Sequence, residues 1–181
     1  MKLYVIRHGE SENNSKKIYT GWMQVDLSEK GKRDAETAGK LLRNVPFDKI
    51  YSSDLIRAMH TADIALSDRA YEPTPLLREY NVGTLEGKPG IGSDVKNRDF
   101  TPYGGENKDM IRARVHEFMQ RVESLNAANV AAFSHAGWLR MMLSVVLNVE
   151  VPHSAIACGN CTVGIFEYKD DNWSLHSWIN P

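Results

Sequence analysis

Short strand-like apolar runs alternate with helix-like stretches along most of this chain, and that alternation limits the fold more than any other feature. Residues 2–6 (KLYVI), 48–51 (DKIY) and 129–133 (NVAAF) read as short strands. A helix is expected over 28–43, capped by Ser28, with Ala38, Leu41 and Leu42 on its apolar side and Val45-Pro46 as its stop. Further helices are expected over 54–67 (Leu55, Met59, Ala62 and Leu66 at helical spacing), 109–125 (Ile111, Val115, Phe118, Val122 and Leu125 on one face) and 137–148. The runs 161–168 and 173–179, where Trp173, Leu175 and Trp178 are expected to pack, read as a hairpin turning at Lys169 to Asn172. Such an order implies a sheet covered by helices on both faces. At 181 residues, 42% apolar and 25% charged, the chain has the size and mix of one soluble domain. The stretch 81–107 is rich in Gly and Pro and shows little periodicity; a loop of that length carries function or covers a site.

The charge balance excludes some classes. Lys plus Arg number 22 and Asp plus Glu 23, so a net charge of -1 gives no bulk grip on nucleic acid or an anionic membrane. No apolar run approaches the ~20 residues of a membrane span, and the most apolar stretch, Trp138 to Val149, is interrupted by Arg140. The apolar start before Arg7 is too short for a secretory signal, so a cytoplasmic protein is expected. Cys158 and Cys161 form a C-x-x-C pair without the two further ligands zinc needs at a suitable spacing; they are expected to pack. His60, His116, His153 and His176 read as surface or core histidines. No apolar stripe marks a dimer face, and a homodimer through edge strands or helices stays open.

The informative pattern lies just past three strands. The first ends in Arg7-His8-Gly9-Glu10, the second in Ser52-Ser53-Asp54 with Arg57 close behind, the third in Ser134-His135-Ala136-Gly137. Open α/β sheets bind ligands beyond the carboxyl ends of their strands, where helix N-termini also attract anions. Two Arg and two His are thereby placed around an anion site. Arginine suits phosphate because its planar fork donates in pairs and keeps its charge. A histidine there is a nucleophile only when neutral. Each piece alone is weak, since a histidine at a strand end is more often structural and Arg57 on an ordinary helix would face solvent. Three pieces at three strand ends are much harder to dismiss.

With LYVIRHGES at 3–11, SSDLIRAMHTA at 52–62, LLREYNVGTLEG at 76–87, YGGEN at 103–107 and SHAG at 134–137, the sequence resembles the histidine phosphatase superfamily, the group named for cofactor-dependent phosphoglycerate mutase. The resemblance covers most of the chain. It implies a single-domain three-layer α/β/α sandwich over 1–181, with a mostly parallel central sheet flanked by helices, and no metal or organic cofactor. It implies that His8 takes the phosphoryl group as phosphohistidine, that Arg7 and Arg57 clamp the phosphoryl oxygens, and that His135 donates to them. Glu79 would protonate the leaving alkoxide and later activate water. Asn14, Thr20 and Gly21 would contact substrate, although the position before Asn14, often Trp in the family, is Asn13 here. Glu10 and Ser11 would order the turn, and Arg114 would have a surface or supporting role.

Within the family the open question is where the phosphoryl group goes. Thr20-Gly21-Trp22 and Asp26-Leu27-Ser28-Glu29-Lys30-Gly31 resemble the mutase form of this segment. Against that, mutases carry an Arg directly after the acidic Glu, where this chain has Tyr80. They also insert a long segment with an Arg pair, where this chain has Lys88, Lys96 and Arg98 in a short stretch before Gly104-Gly105-Glu106. The expectation is a phosphatase acting on a small-molecule phosphate ester, with a phosphoglycerate mutase as the alternative. A silent member that only binds phosphorylated ligands is disfavoured, because all five key residues are present.

Overall fold

The computed structural model describes residues 1–67, 69–90, 95–152 and 154–181; His153 and residues 91–94 of the long loop lie outside the described residues. Six strands form one sheet in the order β3-β2-β4-β1-β5-β6. They are β1 (Lys2–Arg7), β2 (Lys49–Ser53), β3 (Glu72–Thr74), β4 (Asn129–Ser134), β5 (Val163–Lys169) and β6 (Asn172–Ile179). β1, β2, β3 and β4 run parallel, and the β5–β6 hairpin adds an antiparallel edge beside β1. The helices are α1 (Glu12–Ser15), α2 (Glu29–Leu42), α3 (Ile56–Ala65), α4 (Lys108–Glu123) and α5 (Ala136–Leu147).

Alternation along the strands divides the core in two. Leu3 and Val5 of β1, with Val130 and Ala132 of β4, face the layer that holds Phe118 and Val122 of α4 and Trp138 and Met142 of α5. Ile6, Ile50, Ala131 and Phe133 face the opposite layer, with Leu42 of α2 and Ala62 and Ala65 of α3. The sheet covered on both faces that the alternation predicts, and the three-layer sandwich that the resemblance implies, is what forms.

Differences from the sequence reading are local and have causes. Leu41, expected on the buried side of α2, is 46% exposed; Ala35, Ala38, Gly39 and Leu42 make the contact. α2 runs Glu29–Leu42 between its Ser28 and Arg43 caps, as expected, whereas α3 begins only at Ile56 because β2 runs on to Ser53. β5 starts at Val163 rather than 161, since Cys161 has a positive φ of 58° and cannot continue a strand. β3 was not expected, and it includes Pro73, which confines such a strand to a sheet edge, where it lies. His176 is the extra residue of a bulge opposite Ile165 and Phe166.

Candidate active site

Strand register explains why residues from distant stretches meet. Arg7 stands opposite Ser134 in the β1–β4 ladder, so the two chains leave the sheet side by side as His8 and His135. Their ring centroids are 5.0 Å apart. On the other side of β4 the pairing reaches Ser52 opposite Phe133, and the next residue, Ser53, places its Oγ 2.9 Å from His135 Nε2. Arg57 enters from the first turn of α3.

The His8 ring has a defined tautomer. Its Nδ1 lies 2.6 Å from the Gly9 carbonyl oxygen, which can only accept, so Nδ1 carries the proton and Nε2 the lone pair. Burial, then the Arg57 and Arg7 charges, hold its pKa well below the ordinary imidazole value, against the pull of the Gly9 carbonyl. His135 is held neutral by burial first and then by Arg57 and His8. The close turn after His8 depends on Gly9, where a Cβ would meet the Gly31 carbonyl at 2.3 Å.

Arg57 is 1% exposed and donates to the Gly21 and Met23 carbonyls at 2.8 and 3.0 Å. Burial lowers its pKa to about 10, which leaves it a cation at neutral pH. Arg7 donates to the Cys158 carbonyl at 2.5 Å, and burial is the main cause of its lowered pKa. Arg7 Nε and His135 Nδ1 are buried without a hydrogen-bond partner among the described residues. Buried polar atoms normally find partners, so two orphans beside His8 mark a place prepared for an anion's oxygens.

Glu79 closes the other side. Its Oε1 accepts from the Tyr80 N–H and its Oε2 from the Gly137 N–H of α5, both at 3.0 Å. Each oxygen keeps a further lone pair for a proton. Gly137 permits this seat, because a Cβ there would lie 2.1 Å from Glu79 Oε1. The Glu79 carbonyl accepts from Trp22 Nε1 at 2.8 Å and from Arg114 at 3.2 Å. Arg114 also grips Glu106 through a two-bonded fork and the Leu76 and Arg78 carbonyls, so it holds the loop that carries Glu79.

Arg7, His8, Asn14, Thr20, Gly21, Arg57 and Glu79 all line one cleft of about 210 Å³. His135 does not reach that wall; it is fully buried against His8 and Ser53. Asn14 spends its Oδ1 on the Ser11 N–H within the cap of α1, Thr20 donates to the Ile18 carbonyl, and Gly21 offers its carbonyl to Arg57. Glu10 and Ser11 order the turn: Glu10 accepts from Ser28 and Ser11 caps α1. Cys158 and Cys161 are buried beside the cleft, and the described residues hold no group of three His, Cys, Asp or Glu suited to a metal. His60 pairs with Asp26 at the surface.

The sequence reading missed Lys17 and, as a wall of the cleft, Arg98. It also missed that Trp22 positions Glu79, with Arg78 stacked on the indole at 4.7 Å and forked onto Asp54. No local pattern announces a contact across 57 residues of chain.

A family model described as histidine phosphatase superfamily (branch 1) matches residues 3–181. The chain is 33% identical over 190 residues to a 2,3-bisphosphoglycerate-dependent phosphoglycerate mutase of Cytophaga hutchinsonii, covering 93% of this chain and 89% of that one. It is 31% identical over 165 residues to an adenosylcobalamin/alpha-ribazole phosphatase of Salmonella typhimurium, covering 82% and 81%. With a mutase of Lachnoclostridium phytofermentans the 48% identity is confined to 94 residues, and the match spans 38% of that enzyme's length and 48% of this chain. Among solved structures, YhfR of Bacillus stearothermophilus superimposes with a TM-score of 0.86 at 27% identity, over 96% of this chain and 94% of that one.

Proposed function

The chain belongs to the histidine phosphatase superfamily (branch 1), and on that premise we propose that it is a phosphomonoester hydrolase working through a phosphohistidine on His8, without need of a metal ion. The observation that carries the chemistry is the His8 ring, whose Nδ1–H donates to the Gly9 carbonyl at 2.6 Å and so leaves the lone pair on Nε2, in a cleft that Arg7 and Arg57 also line; burial and those two charges hold its pKa low. Nε2 attacks phosphorus as the bond to the alcohol oxygen breaks, and protonated Glu79 gives its proton to that oxygen. Water then attacks the phosphohistidine, Glu79 takes its proton back from the water, the P–N bond breaks and phosphate leaves. Arg7 and Arg57 meet the charge on the phosphoryl oxygens; His135, which does not line the cleft, is assigned as a donor only through its unpartnered Nδ1, to an oxygen bound against the His8 ring. Asn14, Thr20 and Gly21 shape the substrate wall.

Tyr80 supports hydrolysis over mutase chemistry. Where mutases carry Arg, this ring is 2% exposed, packed on Phe100 at 5.7 Å between centroids, with Arg98 over its face at 5.0 Å. The position that supplies mutases with a cation directly after the acidic Glu thus supplies a buried aromatic ring here. The mutase reading rests on the relatives so named and on Thr20-Gly21-Trp22. In this fold, however, Gly21 and Trp22 serve Arg57 and Glu79, as either reaction needs. The test is phosphate release from a panel of phosphomonoesters in excess EDTA, with 3-phosphoglycerate and its 2-isomer followed for interconversion. Release that survives EDTA and disappears in His8→Ala is expected; interconversion with little release would establish the mutase instead.

A further inference from the structure

A second cavity, of about 380 Å³, adjoins the phosphoryl cleft and shares Tyr80 and Arg98 with it. Gly137, whose N–H holds Glu79 Oε2, lines it as well. In the reaction proposed above, the alcohol oxygen must stand at Glu79 when the P–O bond breaks, so the rest of the alcohol extends toward this side.

Three arginines from three different segments enter the cavity: Arg98, Arg112 of α4 and Arg140 of α5. The Nε of each is buried with no hydrogen-bond partner among the described residues. The cavity's carboxylate, Glu150, is already paired with Lys108 at 3.0 Å, and Arg112 feels the same charge. Arg98 and Arg140 have no ion pair among the described residues. Burial pushes the Arg140 guanidinium down, and the Arg98 and Arg7 charges add to that while Cys158 opposes it. All three side chains are part-exposed, and what each keeps from water is its Nε–H; three buried donors without an acceptor, on cations that line one cavity, suit an anion. Met141 and Val151 supply apolar wall between the cations. The volume falls within the ~300–1,000 Å³ of pockets that hold drug-sized ligands, so a three-carbon acid would leave most of it empty.

We infer that this cavity seats the leaving alcohol and selects esters whose alcohol carries a second anionic group, a carboxylate or a phosphate, on an apolar body. The inference rests on the phosphatase reading and names its substrate class. The test measures phosphate release by the full chain from three octyl phosphates that end in methyl, carboxylate or phosphate. The acidic esters are expected to exceed the methyl-ended one by about tenfold or more in kcat/KM, through KM, as loss of charged hydrogen bonds implies. The preference should collapse to about twofold or less in Arg140→Gln and, should that variant fold poorly, in Arg98→Gln and Arg112→Gln. The carboxylate and phosphate arms tell which anion is preferred. Equal kcat/KM for all three esters, or a preference that survives in every folded variant, overturns the inference while the phosphatase reading stands. No release from any ester, with His8 intact, overturns both.

Discussion

The two walls of the cleft are built by different means. His8, His135 and Ser53 are placed by strand register: once β1, β4 and β2 pair, those side chains are neighbours. Glu79, Tyr80 and Arg98 hang on irregular chain between β3 and α4: Glu79 is held by bonds from Trp22, Arg114 and Gly137, Tyr80 packs on Phe100, and Arg98 lies over the Tyr80 ring. The difference teaches a division of labour. In the proposed reaction the phosphoryl group, common to every substrate, meets the part of the molecule that the whole sheet holds in place. The alcohol, which varies among substrates, meets the part that a few contacts hold and a few substitutions can reshape.

The strongest way to break that comparison is to remove each wall's reacting group. His8→Ala should lower kcat by on the order of 10⁴-fold or more for every ester, since among the described residues no other imidazole lines the cleft. Glu79→Gln should be selective: esters of poorly leaving alkyl alcohols lose about 10²- to 10⁴-fold, while activated aryl phosphates lose far less. Equal losses on both ester types in Glu79→Gln would remove Glu79 from the acid's role. Next in size is Arg57→Lys. One ammonium cannot serve the Gly21 and Met23 carbonyls and a phosphoryl oxygen as the guanidinium does, so kcat/KM should fall by about 10² for all esters alike.

Legibility follows the same line. The apolar runs and the Arg-His and Ser-His that end them could be read because register carries them to one edge, and a parallel sheet has its ligand edge at its carboxyl ends. Ser134, His135 and Gly137 were readable for that reason. The Trp22 indole on the Glu79 carbonyl was not, because a loop-to-loop hydrogen bond leaves no periodicity behind. Leu41 was misjudged because the small residues Ala35, Ala38 and Gly39 let α2 approach so closely that a Cβ on Gly39 would meet the Ala65 carbonyl at 2.8 Å. The three arginines whose Nε atoms lack a partner among the described residues are spread over 43 positions from Arg98 to Arg140, and only the fold gathers them.

A smaller effect sharpens the register-built wall. The pKa of His8 is lowered on folding, as is that of His135. Below about pH 6.5 the unfolded chain binds protons that the folded one refuses, so stability falls as pH drops from 7 toward 5, by up to about 1.4 kcal/mol per pH unit for each histidine. Urea unfolding at pH 7, 6 and 5 should show His8→Gln losing less stability with acid than the parent, by about one proton's slope. Parallel slopes would mean that His8 is not held neutral by the fold.

The smallest expected effect probes the loop-hung wall. Trp22→Phe keeps an aromatic ring under Arg78 and removes only the Nε1–H that the Glu79 carbonyl accepts. Arg114 still donates to that carbonyl at 3.2 Å, so the loop stays tethered. One neutral hydrogen bond contributes about 0.5–1.5 kcal/mol, or roughly two- to tenfold in rate if it is all spent on aligning the acid. The loss should appear in kcat for alkyl phosphates and scarcely at all for activated aryl phosphates, because only the former need the Glu79 proton. A change confined to KM, or one equal for both ester classes, would show that Trp22 shapes the cleft mouth rather than aiming Glu79, and the loop-built wall would then be less dependent on single bonds than its geometry implies.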